Sequence, residues 1–357
     1  SGGYFTPYNN PKLKDGSAGE NLSIRLGNET ASFIETHARE NKQQPFFVYL
    51  SFYAVHLPIE TTEAYWRHFR DKAVAAGVAE DEDAFVFDRT IPVRQTQDNP
   101  VYAGVIKQMD DAVGIVLDKL EALGLNKNTI IVFTSDNGGL ASGANCATSN
   151  LPLRGGKGRQ WEGGTRVPVL IQYPGCSLTG TTSNVPVTGA DFYPTLLDLA
   201  GIPIPSAQQL DGVSVVPLLK NASIASRPLY WYYPHYGNQG GEPSSIILDG
   251  DWKLIHYYED GRNELYNLGM DESESEPLNA QYPGKVSELS KKLTEWLTSA
   301  RVIYPVADPE YDPRKEAAYK RRLLMTTDRK GKELRRQMLR EDYKPNDDWW
   351  GSSVSQK

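Results

Sequence analysis

The sequence predicts an α/β fold in which helices cover a sheet, followed by a smaller antiparallel α+β unit. Three observations carry this. Residues 44–53, QPFFVYLSFY, form a continuous apolar and aromatic run of strand length, the pattern of a strand buried on both faces. Residues 101–123, VYAGVIKQMDDAVGIVLDKLEAL, set Ile106, Met109, Val113, Val116, Leu117 and Leu120 along one side of a helix. Residues 129–134, TIIVFT, return to strand character and run into the turn-forming Asp136-Asn137-Gly138-Gly139. Strand, helix and strand in that order predict a right-handed crossover within one sheet.

The remaining elements follow in chain order. Residues 1–20 read as polar, turn-rich loop. Residues 21–41 have helical periodicity through Ile24, Leu26, Ala31 and Ile34. Residues 60–98 are charged and irregular, read as helix and loop over the surface. A strand is expected in 166–175, RVPVLIQYPG, and a short helix in 191–202, ended by Gly201. Composition shifts near residue 222. Residues 228–241 then read as a strand, and 244–268 as a β-meander whose turns are Asp249-Gly250 and Asp260-Gly261. A helix over 283–301 completes this unit. The expected organisation is a main α/β domain over 1–222, an antiparallel subdomain with its helix over 223–301, and a basic helical tail over 302–357. Within the tail, residues 314–340 hold 11 basic and 3 acidic side chains.

The chain has 357 residues, 39% hydrophobic and 23% charged, with a net charge of -7. That length can bury a sizeable core. The acidic balance points to no nucleic-acid or anionic-membrane partner for the chain as a whole. No apolar run reaches the roughly 18 residues of a membrane span, and the opening residues show no signal-peptide pattern. Cys146 and Cys176 lack metal-site spacing; they read either as one disulfide or as two separate thiols.

Three stretches carry chemistry. Asp136 and Asn137 end a buried strand, and ligands bind beyond the carboxyl ends of strands in open α/β sheets. Their carboxylate and amide oxygens suit a hard cation, Ca²⁺ before Mg²⁺; the plainer alternative is a capped loop. Residues 151–168, LPLRGGKGRQWEGGTRVP, combine two glycine pairs with Arg154, Lys157, Arg159 and Arg166. Such a loop can present N–H groups and an ammonium to a tetrahedral anion, although it is no P-loop. His56 follows the 44–53 run and precedes Leu57-Pro58, where it could protonate a leaving oxygen or serve structure alone.

Taken together, YAVHLPIE, TIIVFTSDNGG, LRGGKGRQWEGGTRVPVLIQYPG, TGADFYPTLLDLAGIPIP and LDGVSVVPLL resemble the type I sulfatases of the alkaline-phosphatase superfamily. RPLYWYYPHYGNQGG, ILDGDWKLI and ELYNL resemble the subdomain of bacterial glycan sulfatases. The resemblance covers residues 1–300. It implies an alkaline-phosphatase-like mixed or parallel sheet sandwiched by helices, and hydrolysis of sulfate esters on a sulfated glycan. It implies Asp136 and Asn137 as metal ligands, Ca²⁺ as the usual metal, Lys157 against the sulfate and His56 at the bridging oxygen. It further implies a formylglycine nucleophile made within a C/S-x-P-S/A-R motif, which this sequence does not contain. The family's first-strand Asp pair and its GKWHLG-type Lys and His are also missing. The expectation is that these reside in an N-terminal portion, on the same or a separate chain. The family further implies a periplasmic or extracellular home.

Substrate choice is expected from His235 and Asn238 in YPHYGNQGG, whose aromatic and amide groups suit a sugar ring. Arg154 and Arg166 either reach a sugar carboxylate or a second sulfate, or hold the loop through ion pairs. The basic tail reads as a solvated helix on the acidic body, a contact for a polyanionic glycan, or a means of homo-oligomerisation. A phosphodiesterase or phosphatase of the same superfamily and a non-catalytic glycan-binding relative are the rival functions. The first would need more metal-binding Asp and His than the five scattered histidines provide.

Overall fold

Side-chain alternation along the C-terminal strands builds two cores at once. Strands β5 (Leu229–Tyr233), β6 (Ser244–Asp249), β7 (Trp252–Tyr257) and β8 (Asn263–Asn267) form one antiparallel sheet in the order β5-β6-β7-β8. The meander and both its turns are as the sequence predicts, with Gly250 and Gly261 at positive φ. Ile247, Leu254 and Leu265 face helix α7 (Pro283–Ser299) and meet Leu289, Leu293 and Leu297, spaced as one helical face. Their strand neighbours Ile246, Ile255, Tyr257 and Tyr266 point the other way and enclose Trp161, which comes from the glycine-rich loop.

The computed structural model describes residues 3–8, 10–41, 43–80, 84–89, 91–143, 146–175 and 179–343. In the N-terminal half, α1 (Leu22–Glu40), α2 (Glu63–Ala75) and α3 (Pro100–Ala122) form a helical layer. Asn21 caps α1 and Asn99 caps α3, each accepting two backbone N–H bonds. A methyl group built on Gly27 of α1 would sit 2.7 Å from the Ala112 carbonyl oxygen of α3, so glycine sets how closely these helices approach. Strand β3 (Ile131–Thr134) ends at Asp136-Asn137 and pairs with β4 (Val169–Gln172).

Three expectations need correction. The crossover expected from 44–53 through the helix to 129–134 does not form, and the partner that β3 finds is the antiparallel β4. Residues 44–53 form no strand, because no ladder partner lies beside them among the described residues; Phe47 and Tyr49 are 75% and 83% exposed. Within 60–98, read as helix and loop, β1 (Phe85–Asp88) and β2 (Ile91–Arg94) pair antiparallel. These strands hold four residues each, too few for a clear period-two signal. Cys146 is a free, buried thiol whose pKa burial pushes up to about 11; Cys176 lies outside the described residues.

The basic tail is ordered over α8 (Pro313–Leu339), and its C-terminal end is anchored. Trp66 Nε1 donates to the Met338 carbonyl at 2.8 Å, and Arg70 Nε to the Leu339 carbonyl at 3.1 Å, which satisfies orphan carbonyls of the last turn. Arg335 Nε donates to Asp98 Oδ2 at 2.6 Å, and Arg94 holds the other oxygen of that carboxylate. The Asp98 side chain is fully buried between the two guanidiniums.

Asp98→Ala leaves both arginines without their anion. It is expected to lower stability by about 3–5 kcal/mol in urea unfolding of the chain. A loss under about 1 kcal/mol would show that water or backbone carbonyls re-pair them.

Candidate functional site: a glycine-locked cleft at a strand end

The two sequence stretches singled out for chemistry are bound to each other through their backbones. Gly138 N–H donates to the Gly164 carbonyl at 3.1 Å, and Lys157 N–H to the Gly139 carbonyl at 2.9 Å. Asn150 bridges them from the side: its Oδ1 accepts from Gly139 N–H at 2.9 Å, and its Nδ2 donates to the carbonyls of Gly139 and Gly155 at 2.9 and 3.0 Å. A side chain at Gly138 would strike the Gly163 carbonyl, and one at Gly156 the Gly139 carbonyl. Glycine is required here for close approach. The same device attaches the next loop, where a methyl on Gly241 would strike the Gly158 carbonyl. Ser142 Oγ also donates to the Gln239 carbonyl, at 2.7 Å.

These contacts bring His56, Asp136, Asn137, Lys157, Arg166 and Asn238 to the wall of one cleft of about 3020 Å³. Lys157 has no side-chain partner among the described residues, and neither does the exposed Asp136 carboxylate. Asn137 Nδ2 is committed to the Gly138 carbonyl at 2.9 Å, which leaves Oδ1 as an oxygen donor. His56 Nδ1 lies 3.1 Å from the Leu57 carbonyl, so Nε2 is the ring nitrogen left for other partners. Arg166 makes a long 3.8 Å contact with Glu272, both half exposed at 52% and 53%. Such a pair contributes little and leaves the guanidinium available.

Two expected site residues stay out of the cleft wall. Arg154 is bidentate to Asp88 at 2.8 and 3.0 Å and donates to the Glu274 carbonyl at 2.9 Å, with its guanidinium 3.8 Å from the Trp161 ring centroid. Burial works against its charge, and Asp88 more than offsets this, so its pKa lies above the ordinary arginine value. It holds the loop, the ion-pair role left open by the sequence. His235 is exposed, with its ring 4.2 Å from that of Tyr233, and does not line the cleft.

The sequence reading missed what supports the cleft floor. Lys253, from the middle of β7, is 1% exposed; it meets Glu162 at 2.9 Å and Glu274 at 2.8 Å. Glu274 Oε2 also accepts from Glu162 N–H, the first residue of helix α4 (Glu162–Thr165), at 2.5 Å. Burial pushes the Glu274 carboxyl up and Lys253 pulls it back down. This ion triad ties the C-terminal sheet to the Gly163-Gly164 turn beneath Gly138. Its one sequence signal is a lysine in an otherwise apolar strand core, WKLI.

A hard divalent cation fits the Asp136 and Asn137 oxygens, which are two donors of the right kind. No group of three or more His, Cys, Asp or Glu gathers for a metal among the described residues, so these two alone would make only part of a coordination shell. No helix of the described residues is long and apolar enough to cross a membrane.

The Sulfatase family profile matches residues 2–202, and the profile of the N-sulphoglucosamine sulphohydrolase C-terminal region matches residues 157–302. A sulfatase of Formosa agariphila is 32% identical over 313 residues, covering 81% of this chain and 52% of that protein. N-acetylgalactosamine-6-sulfatase of Mus musculus is 32% identical over 214 residues, 59% of this chain and 35% of that protein. Among solved structures, Ps i-CgsB in complex with k-i-k-neocarrahexaose superposes with a TM-score of 0.64 at 26% identity, over 80% of this chain and 56% of that one. The chain spans about half the length of the curated relatives it matches.

Gly138→Ala is expected to destabilise the chain by about 1–3 kcal/mol, since the methyl must displace backbone. Gly114→Ala in α3, where a methyl meets nothing within 4 Å, is the matched control. It should gain about 0.5–1 kcal/mol from helix propensity. Thermal unfolding of both variants checks the opposite signs.

Proposed function

The chain belongs to the sulfatase family, and on that premise we propose that it forms the cleft-bearing part of an enzyme that hydrolyses sulfate esters on a sulfated glycan. One observation carries this: the strand end Asp136-Asn137 and the loop carrying Lys157 are joined backbone to backbone and share one cleft wall with His56. Lys157 presents its ammonium to the non-bridging oxygens of a sulfate ester and offsets their negative charge. His56 offers a ring nitrogen to the bridging oxygen, where the departing alcohol gathers charge and needs a proton. Asp136 and Asn137 hold a cation, Ca²⁺ in this proposal, which when bound supplies further positive charge beside the sulfate. Arg166 and Asn238 line the same wall and read the rest of the sugar. Relatives that act on or bind sulfated carbohydrates support the substrate class, and such substrates point to periplasmic or extracellular action.

The residues present do not provide the family's nucleophile. No C/S-x-P-S/A-R motif occurs in the sequence, so no nucleophilic step is assigned to this chain. We propose that a further polypeptide segment, formylglycine included, seats in the cleft against residues 44–53 and the exposed flank of β3–β4. Tyr53 at 69% and Leu170 at 59% exposure, with Phe47 and Tyr49, are apolar surface of the kind that partners cover. The absent motif also favours a second reading, a glycan-binding relative without catalysis.

Sulfate release from sulfated galactose and hexosamine oligosaccharides by the complete protein tests the proposal. Lys157→Ala is expected to lower kcat/KM by about 10²–10³-fold. Release unchanged by that substitution would remove Lys157 from the reaction, and binding with no release at all would favour the second reading. Asp136→Ala is expected to weaken Ca²⁺ binding, read by calorimetry independently of turnover; an unchanged affinity would move the cation elsewhere.

A further inference from the structure

Helix α8 has one face on the body and an opposite face along which a row of basic side chains runs. Gly331, Arg335 and Met338 are buried, with Gly331 against Phe85, Arg335 on Asp98 and Met338 beside Trp66. Glu316 and Lys320 pair on the same side. The opposite face carries Lys315, Arg322 and Arg329 at seven-residue spacing, flanked by Arg314 and Arg321, all exposed. At 3.6 residues per turn these five form a stripe with a repeat of about 10 Å. None of the five has an ion pair among the described residues; Arg322 lies 5.8 Å from the Tyr319 ring centroid. A chain of net charge -7 thus concentrates unpaired positive charge on one outward helix face.

The position of this face matters. Tyr304 packs edge-on against Tyr258, ring centroids 5.8 Å apart, and Tyr232, near the end of β5, donates to the Ile303 carbonyl, which ties the stretch leading into α8 to the strand that precedes the 234–241 loop. That loop sends Asn238 and Gln239 into the cleft wall. Exposed tyrosines line the same region: Tyr236 at 66%, Tyr311 at 58%, Tyr319 at 50% and Tyr304 at 45%. Aromatic faces beside spaced cations fit a polymer with sugar rings and regularly placed anions. The acidic groups nearby are Asp308, Glu310, Asp312, Glu259, Glu316 and, one turn past Arg329, Glu333, which pairs with Arg336. Asp312 caps the helix and Glu316 faces Lys320, so neither lies on the stripe.

We propose that the stripe Arg314, Lys315, Arg321, Arg322 and Arg329 is a secondary binding surface for the sulfated polysaccharide, engaging the polymer beyond the unit held in the cleft. This rests on the sulfate-ester reading above and extends it from a sulfated sugar to a sulfated chain. The stripe touches no group assigned to the chemistry, so it alters affinity for polymer and leaves turnover of a small ester alone.

The test uses the complete protein with dextran sulfate as probe and neutral dextran as control, binding being followed by calorimetry at several salt concentrations. Lys315→Gln, Arg321→Gln, Arg322→Gln and Arg329→Gln are combined in one variant. The expected result is salt-sensitive binding to dextran sulfate alone, weakened on the order of tenfold in the variant, with a shallower salt dependence. A variant with the three arginines replaced by lysine should bind as the wild type does and controls for folding. Unchanged binding by the glutamine variant overturns the proposal. So does tighter binding to duplex DNA than to dextran sulfate, which would mark a general polyanion surface. Hydrolysis of a small sulfate monoester is assayed in parallel: its loss in every form would defeat the sulfate-ester reading, while the polymer titration decides the stripe separately.

Discussion

Contact between glycine backbones is the constraint on which the rest of the site depends. The chain must bring the end of a strand and a cationic loop to within a hydrogen bond of each other, with no side chain between them. Gly138 against Gly163 and Gly164, Gly139 against Gly156, and Gly241 against Gly158 do this three times in one place. At Gly138 and Gly139 the approach lets an N–H meet a carbonyl directly, so the side chains of Asp136, Asn137 and Lys157 project from a frame with little freedom. A site built for charge stabilisation benefits from such a frame, because groups already in place need no reorganisation when charge develops.

Buried ion networks hold that frame from behind. Lys253 with Glu162 and Glu274 secures the turn under Gly138. Arg154 with Asp88 secures the start of the loop, and Arg94 with Asp98 and Arg335 fastens the tail. Charges withdrawn from water are tolerated when paired, and each of these is paired. Arginine and lysine therefore divide into two populations here. Arg94, Arg154, Arg335 and Lys253 are structural, while Lys157, Arg166 and the outer face of α8 keep their charge available.

The C-terminal sheet was legible in the sequence because its signals are local. Alternating apolar residues, two Asp-Gly turns and a helix with leucines four apart each act within a few residues. The cleft residues were legible because strand-end acids and glycine pairs are short-range patterns as well. What the sequence hid was non-local. Nothing in 44–53 distinguishes an apolar run with a ladder partner from one without, so a strand was expected where none forms. Arg154 and Arg166 look alike in sequence, yet Asp88, more than sixty residues away, captures one and leaves the other. His235 and Asn238 are three residues apart in one loop, and only the loop's seat on Gly158 and Ser142 decides which reaches the cleft.

Trp161 gives the architecture a consequence for inheritance. The indole sits at the centre of the C-terminal core, 0% exposed, between Arg154 and Arg159, yet it belongs to the segment that carries Lys157. A sheet whose core is completed by a residue from the glycine-rich segment cannot be exchanged as a cassette. Recombination with a crossover anywhere between residues 161 and 246 would give each half a partner shaped for a different indole seat. Variation within this lineage is thus expected to accumulate by drift in the rim loops, with the sheet and the glycine loop inherited as one unit.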